Sequence, residues 1–275
     1  MVEIDIAMTI TVERAVLAIR SAIQPLLSEL RVISAALQRN RAAGLVAPPR
    51  CAFDFMAELV VPLLERQGPL IVGAGVAYSP GSLVDQVSWL DWWSRRDLGR
   101  FGHVWYDLDP QSVSFYDYAS REWFQAPRES GLPVAIGPYV DAGETFVNTV
   151  RLAMPVPTAS GIHVLGCDLS LAHLESLFVQ AIAAVDPVFA LVGGGGRVLA
   201  SNSARHAPGA KASDAWHSWP AFSAEDGFGT VWTIRAPDAY PGGRRRPSSH
   251  AGTCASRRSI SRVAAGVSGT AERAT

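Results

Sequence analysis

Between Tyr116 and Phe124 the chain reads YDYASREWF, and YVD follows at residues 139–141. Residues of these types can hold a small polar molecule. The planar fork of Arg121 matches a carboxylate through two parallel hydrogen bonds. Trp123 and Phe124 can wall a pocket, the indole N–H adds a donor, and Tyr116 adds a hydroxyl. Tyr139 and Asp141 stand at i, i+2, on one face of a strand, with a hydroxyl, a ring face for a cation and a carboxylate for an ammonium. Asp168 closes the apolar run GIHVLGCD. A lone carboxylate there is either a ligand contact or the cap of a helix beginning just after it. For Arg121 the plainer alternative is a salt bridge to Asp117 or Glu122, and the aromatic residues serve a core under either reading.

Catalytic patterns are missing from the chain. It has no G-x-S-x-G, no H-E-x-x-H and no phosphate-binding Walker loop. His103, His163, His173, His206, His217 and His250 follow no metal-ligand spacing. His163 lies five residues from Asp168 along a strand, which points the two to opposite faces. We expect no catalytic residues, no metal and no cofactor, and so a binding module and not an enzyme. Cys51, Cys167 and Cys254 are odd in number and far apart, so they outline neither a disulfide framework nor a metal site. A formal net charge of −1 supplies no basic field to recruit nucleic acid.

The elements that must position these residues read as α+β. From Thr11 to Asn40 the apolar residues Val16, Ile19, Ile23, Leu26, Leu30, Ile33 and Leu37 alternate spacings of three and four. The stripe either packs on the chain's own sheet or forms the seam of a homodimer. Thr11 reads as the cap of this helix, and Pro25 interrupts its interior. A second helix is expected from Cys51 to Gln67. Then the period changes. Strands are expected at LIVGAGVAY, at Val104 to Leu108, at 113–118, at Phe146 to Pro155 and at Ile162 to Asp168. A short helix through Trp123 to Ser130 and an amphipathic helix at 170–185, capped by Ser170, complete the main body. FALVGGGGRVLASNS reads as a hairpin and not as a phosphate loop, because a strand and not a helix follows the glycines. Residues 241–275 are rich in Gly, Ser, Ala and Arg and too poor in large apolar residues to order themselves.

No stretch is apolar for the eighteen or more residues a membrane span needs, and MVEIDIAMTI lacks the pattern of a signal peptide. The location expected from this is cytoplasmic. The ligand-binding part of a receptor, separated from its spans, would read the same way.

The run from YDYASREWF through GPYVD to GCDLSLAHLESLF resembles the Cache family of sensor domains. The elements that carry the likeness are R-x-W-[YF], GPYVD and a strand-ending Asp before a helix. The resemblance implies a long N-terminal helix, then a PAS-like antiparallel sheet flanked by helices over residues 11–185. It also implies a smaller, abbreviated second β module over 186–236. In double Cache sensors that bind amino acids, the residues matching Tyr116, Arg121 and Trp123 hold the carboxylate. Those matching Tyr139 and Asp168, with Asp141 close by, hold the ammonium. Phe124 stands where the family usually has tyrosine, so one hydroxyl is lost. What the resemblance implies is therefore a sensor for an amino acid or a related zwitterion or amine. A non-sensing adaptor working through protein or nucleic-acid contacts is the alternative.

Overall fold

A computed structural model describes residues 2–40, 44–96, 100–140, 148–182, 188–222 and 226–236. The chain opens with α1 (Val2–Arg39) and α2 (Met56–Gln67), followed by strands β1 (Ile71–Ala77), β2 (Leu90–Arg95) and β3 (Phe101–Val104). Next come α3 (Glu122–Ser130), β4 (Val134–Val140), β5 (Asn148–Thr158), β6 (Gly161–Ser170) and α4 (Leu171–Ile182). The last strands are β7 (Ala190–Val192), β8 (Val198–Ser201), β9 (His217–Phe222) and β10 (Trp232–Ala236). The first six strands form one sheet in the order β3-β2-β1-β6-β5-β4, and the last four form a second in the order β8-β7-β10-β9. Neighbouring strands are antiparallel throughout. The α+β class, the leading long helix and the smaller second sheet are as expected from the sequence.

Strand alternation gives the large sheet two different faces. Val150, Leu152 and Met154 of β5, with Leu165, Cys167 and Leu169 of β6, join the larger core beneath α1, α2 and α4. Ala153 and Val164 point the other way, into a second core with Trp92, Trp123 and Phe124. Arg151 shares parity with Ala153, and Asp168 shares it with Val164. Both charged side chains therefore fall on the second face, beneath α3.

The apolar stripe of α1 is buried within the chain: Ile19, Ile23, Leu26, Leu30, Ile33 and Leu37 are at most 4% exposed. Packing on the chain's own body has claimed it, so it is not available as a dimer seam. The helix starts well before Thr11, which is buried inside it and does not cap it, and it runs through Pro25. The second helix is split, with a 3-10 turn at Arg50–Phe53 ahead of α2. The Gly-rich segment is the expected hairpin, with β7 and β8 paired around it.

Two expected strands, at 104–108 and 113–118, are not formed; β3 ends at Val104. Short polar side chains there bond to nearby backbone and offer it an alternative to a ladder. Asp107 accepts from the Asp109 N–H, Asp109 from the Gln111 N–H, and the Ser112 hydroxyl donates to Asp107. Tyr116 is consequently a loop residue. Residues 141–147, 183–187 and 241–275, and with them Asp141, the end of the 170–185 helix and the Arg-rich tail, lie outside the described residues.

Candidate functional site

Arg151 on β5 and Asp168 on β6 are Cα partners in the ladder. Arg151 Nε donates to Asp168 Oδ1 at 2.7 Å and Nη2 to Oδ2 at 2.6 Å, a bidentate fork. Both side chains are almost fully buried, at 3% and 1% exposure. The Tyr139 hydroxyl donates to the same Oδ1 at 3.0 Å. Three aromatic rings surround the guanidinium: its central carbon lies 4.3 Å from the Trp92 ring, 4.5 Å from Trp123 and 5.7 Å from Tyr139. These are distances at which an aromatic face attracts a cation.

Each wall has a local cause. Trp92 lies flat across the sheet because two neighbouring positions are glycines. A Cβ on Gly73 would stand 2.8 Å from Trp92 Nε1, and one on Gly166 would stand 3.1 Å from its ring carbon Cη2. Trp123 and Phe124 enter from the first turn of α3 and are buried. Tyr139 follows the cis Gly137–Pro138 bond, where the β4–β5 register shifts.

The electrostatics fix the state of Arg151 and of Tyr139. Burial on its own would lower the Arg151 pKa, but the charge and hydrogen bonds of Asp168 outweigh it and hold the guanidinium charged. Burial and then the Asp168 charge raise the Tyr139 pKa well above the usual phenol range, so the hydroxyl stays a donor. Removing one partner from a buried pair of this kind typically costs about 3–5 kcal/mol, because the other charge is left in a low-dielectric interior.

Of the residues singled out in the sequence, Trp123, Tyr139 and Asp168 meet at this centre. Asp168 does not cap α4; the Ser170 hydroxyl does, accepting from the His173 N–H at 3.2 Å. Phe124 backs Trp123 edge-on at a centroid distance of 6.0 Å. Tyr116 is half-buried and stacks on Tyr106 at 4.7 Å. Arg121 is exposed, just ahead of α3, with its guanidinium carbon 5.7 Å from the Tyr116 ring. Among the described residues it forms no ion pair with Asp117, Glu122 or any other acid. Arg151 and Trp92 were missed as site residues, although an arginine inside TVRLAMPV is the same kind of signal that singled out Asp168.

A cleft of about 440 Å³ adjoins the centre on its Tyr139 side. It is lined by Glu122 and Ala126 of α3, by Gly137, Pro138 and Tyr139, and by Gly194, Arg197 and Thr230 of the second sheet's region. Arg151 and Asp168 do not line it, so the ion pair is closed off from this space. On the opposite face of the large sheet, buried Asp91 accepts from Tyr78 Oη at 3.3 Å and Trp89 Nε1 at 2.9 Å, and His103 Nε2 lies 3.2 Å away. Among the described residues no group of three His, Cys, Asp or Glu side chains is placed to hold a metal ion.

No protein-family model matches the chain, and no curated protein is similar to it in sequence. Solved structures are similar in fold. The ligand-binding domain of the Pseudomonas aeruginosa PAO1 amino acid chemoreceptor PctB, in complex with L-Arg, has a TM-score of 0.55 at 14% identity, covering 86% of this chain and 95% of that one. The ligand-binding domain of the Pseudomonas fluorescens chemoreceptor CtaA, in complex with L-valine, has a TM-score of 0.55 at 15% identity, covering 86% and 97%. The extracellular domain named for the histidine kinase mmHK1S-Z3 has a TM-score of 0.56 at 15% identity, covering 79% and 88%. The chain thus has the fold of the Cache-type ligand-binding domains of chemoreceptors and sensor kinases. Among the described residues no helix is long and apolar enough to cross a membrane.

Proposed function

We propose that the chain is the ligand-binding part of a small-molecule sensor. One observation carries the reading: Trp92, Trp123, Tyr139 and Asp168, distant in sequence, converge on one buried charged centre beneath α3. A fold needs no such centre for stability, since a well-packed apolar substitute for a buried ion pair is often as stable or more so. The amino acid, zwitterion or amine expected from the family resemblance is supported by the ligands named for PctB and CtaA. Arg121, exposed and without an ion pair among the described residues, serves as the clamp for the ligand's acid end.

The sensor works as a binding module and not as an enzyme, with residues 11–185 and 186–236 as its two modules and 241–275 as a tail. Placement outside the membrane as part of a receptor is favoured over the cytoplasm by the extracellular neighbour; fractionating cells that express the protein separates the two. A homodimer through the N-terminal helix would have to use its outward face, where Ile10, Leu17 and Val32 are 54–65% exposed. Sedimentation of the chain with Leu17→Glu tests that use.

The sensor reading is tested by thermal-shift screening of the full chain against amino acids, amines and small carboxylates. A ligand present at about 100 times its Kd adds about 2.7 kcal/mol, enough to raise Tm by several degrees. A cooperatively melting protein that no compound shifts would remove the reading.

A further inference from the structure

We propose that Arg151 takes the place of a ligand's cationic group, so that the molecule this sensor binds is a small organic acid with no amino group at its Asp168 end. The inference rests on the sensor reading above and narrows its ligand class.

An acid at the base of an aromatic cage is a receptor for a cation. Here the cage already holds one, and it belongs to the chain. Arg151 occupies both oxygens of Asp168, and Tyr139 adds a third bond to the first of them. The pair is neutral overall and closed to solvent. An incoming ammonium would find a neutralised carboxylate and a like charge beside it. It would also compete with a group that the β5–β6 register holds opposite Asp168, at an effective concentration no free amine matches.

An exposed cation stands on the same side of the sheet. Arg121 is exposed over the Tyr116 ring, and Tyr116 packs against the same cluster as Trp92 and Trp123, the rings that flank Arg151. The acids nearest to Arg121 in sequence are otherwise engaged or turned away. Asp117 accepts from the Ser120 N–H, and Glu122 lines the cleft beside Tyr139. With Arg151 and Asp168 cancelling, Arg121 is the exposed cation of the set that forms no ion pair among the described residues, and its partner is an anion.

The test compares matched pairs of probes on the full-length wild-type protein by thermal shift and calorimetry: L-alanine with propionate and lactate, L-valine with isovalerate, glycine with acetate. The expected result is binding by one or more acids and at least tenfold weaker binding by the matched amino acid. Arg151→Ala then gains binding of methylammonium or of the amino acid, because Asp168 has lost its partner. Wild-type protein that prefers the amino acid overturns this inference and leaves the sensor reading standing. Wild-type protein that binds neither member of any pair, nor any compound in the wider screen, overturns both. Should Arg151→Ala fail to fold, the wild-type comparison still decides, and Arg151→Lys, which keeps the cation, must retain the preference for the acid.

Discussion

Arg151 and Asp168 face each other directly across β5 and β6, joined by two hydrogen bonds and sealed by three aromatic rings. The pair has an uneven energetic signature. Asp168→Leu or Arg151→Met alone should destabilise the protein by about 3–5 kcal/mol. The double change Arg151→Met with Asp168→Leu should recover most of that loss, since no lone charge stays buried. Urea denaturation of the four proteins in a double-mutant cycle measures the difference. Additive losses would mean that the two charges are not coupled as described.

Arg121 separates binding from stability. Its side chain is exposed, so Arg121→Ala should alter folding stability by no more than about 0.5 kcal/mol. If it clamps an acid, a charged hydrogen-bonding group worth about 1.5–3 kcal/mol is lost, and affinity should fall roughly ten- to hundredfold. Calorimetry with any ligand found by screening reads this, and an unchanged Kd would place the acid end elsewhere.

His163 should make stability depend on acid. The ring is buried, the Ser79 N–H donates to its Nδ1 at 3.2 Å, and Nε2 lies 3.1 Å from the Thr158 hydroxyl. Nδ1 is therefore an acceptor, and a proton there would break the bond. Burial, with a smaller contribution from Arg128, lowers the pKa from 6.5 to about 4. The unfolded chain takes up this proton first. Stability is thus unaffected by His163 above pH 6.5 and falls as pH drops toward 4, by about 3 kcal/mol in all. Tm measured from pH 7 to pH 4 should fall less steeply for His163→Gln than for wild type.

Gly75 should tolerate no side chain. A Cβ there would meet the backbone of β2, with Trp92 Cα at 2.7 Å and the Asp91 carbonyl closer still. Backbone cannot rotate aside as a side chain can, so Gly75→Ala must part β1 from β2. A loss of about 3 kcal/mol or more is expected from chemical denaturation. A stability within 1 kcal/mol of wild type would show that the strands separate at little cost.

Local pattern carried a large part of this fold. The stripe of α1, the amphipathic α4 and the glycine hairpin each announce themselves by period or by turn residues. Asp168 was conspicuous as a lone carboxylate ending an apolar run. Arg151 was equally alone, but what it does depends on register, and register depends on the turn. The expected strand stopped at Pro155, a residue that cannot donate to a ladder. The ladder nevertheless continues through Pro155 and Pro157 to Thr158, which pairs with Gly161. That tight turn sets Arg151 opposite Asp168. With the strand ended at Pro155 the connection looked loose and the partner could not be read. Trp92 was hidden for a related reason, since only pairing in space shows which glycines lie beneath a ring.

The bed of Gly73 and Gly166 under the Trp92 indole gives this protein a way to vary without touching its contacts. At both positions the atom nearest to an added Cβ belongs to the indole. Both set how deep the indole lies. A single methyl at position 166 would press against the ring from beneath and push it toward the Arg151 guanidinium while every polar partner kept its identity. Relatives that have drifted at these two positions would therefore hold the buried ion pair under a differently seated ring, and an inventory of the charged and aromatic residues would give no sign of it.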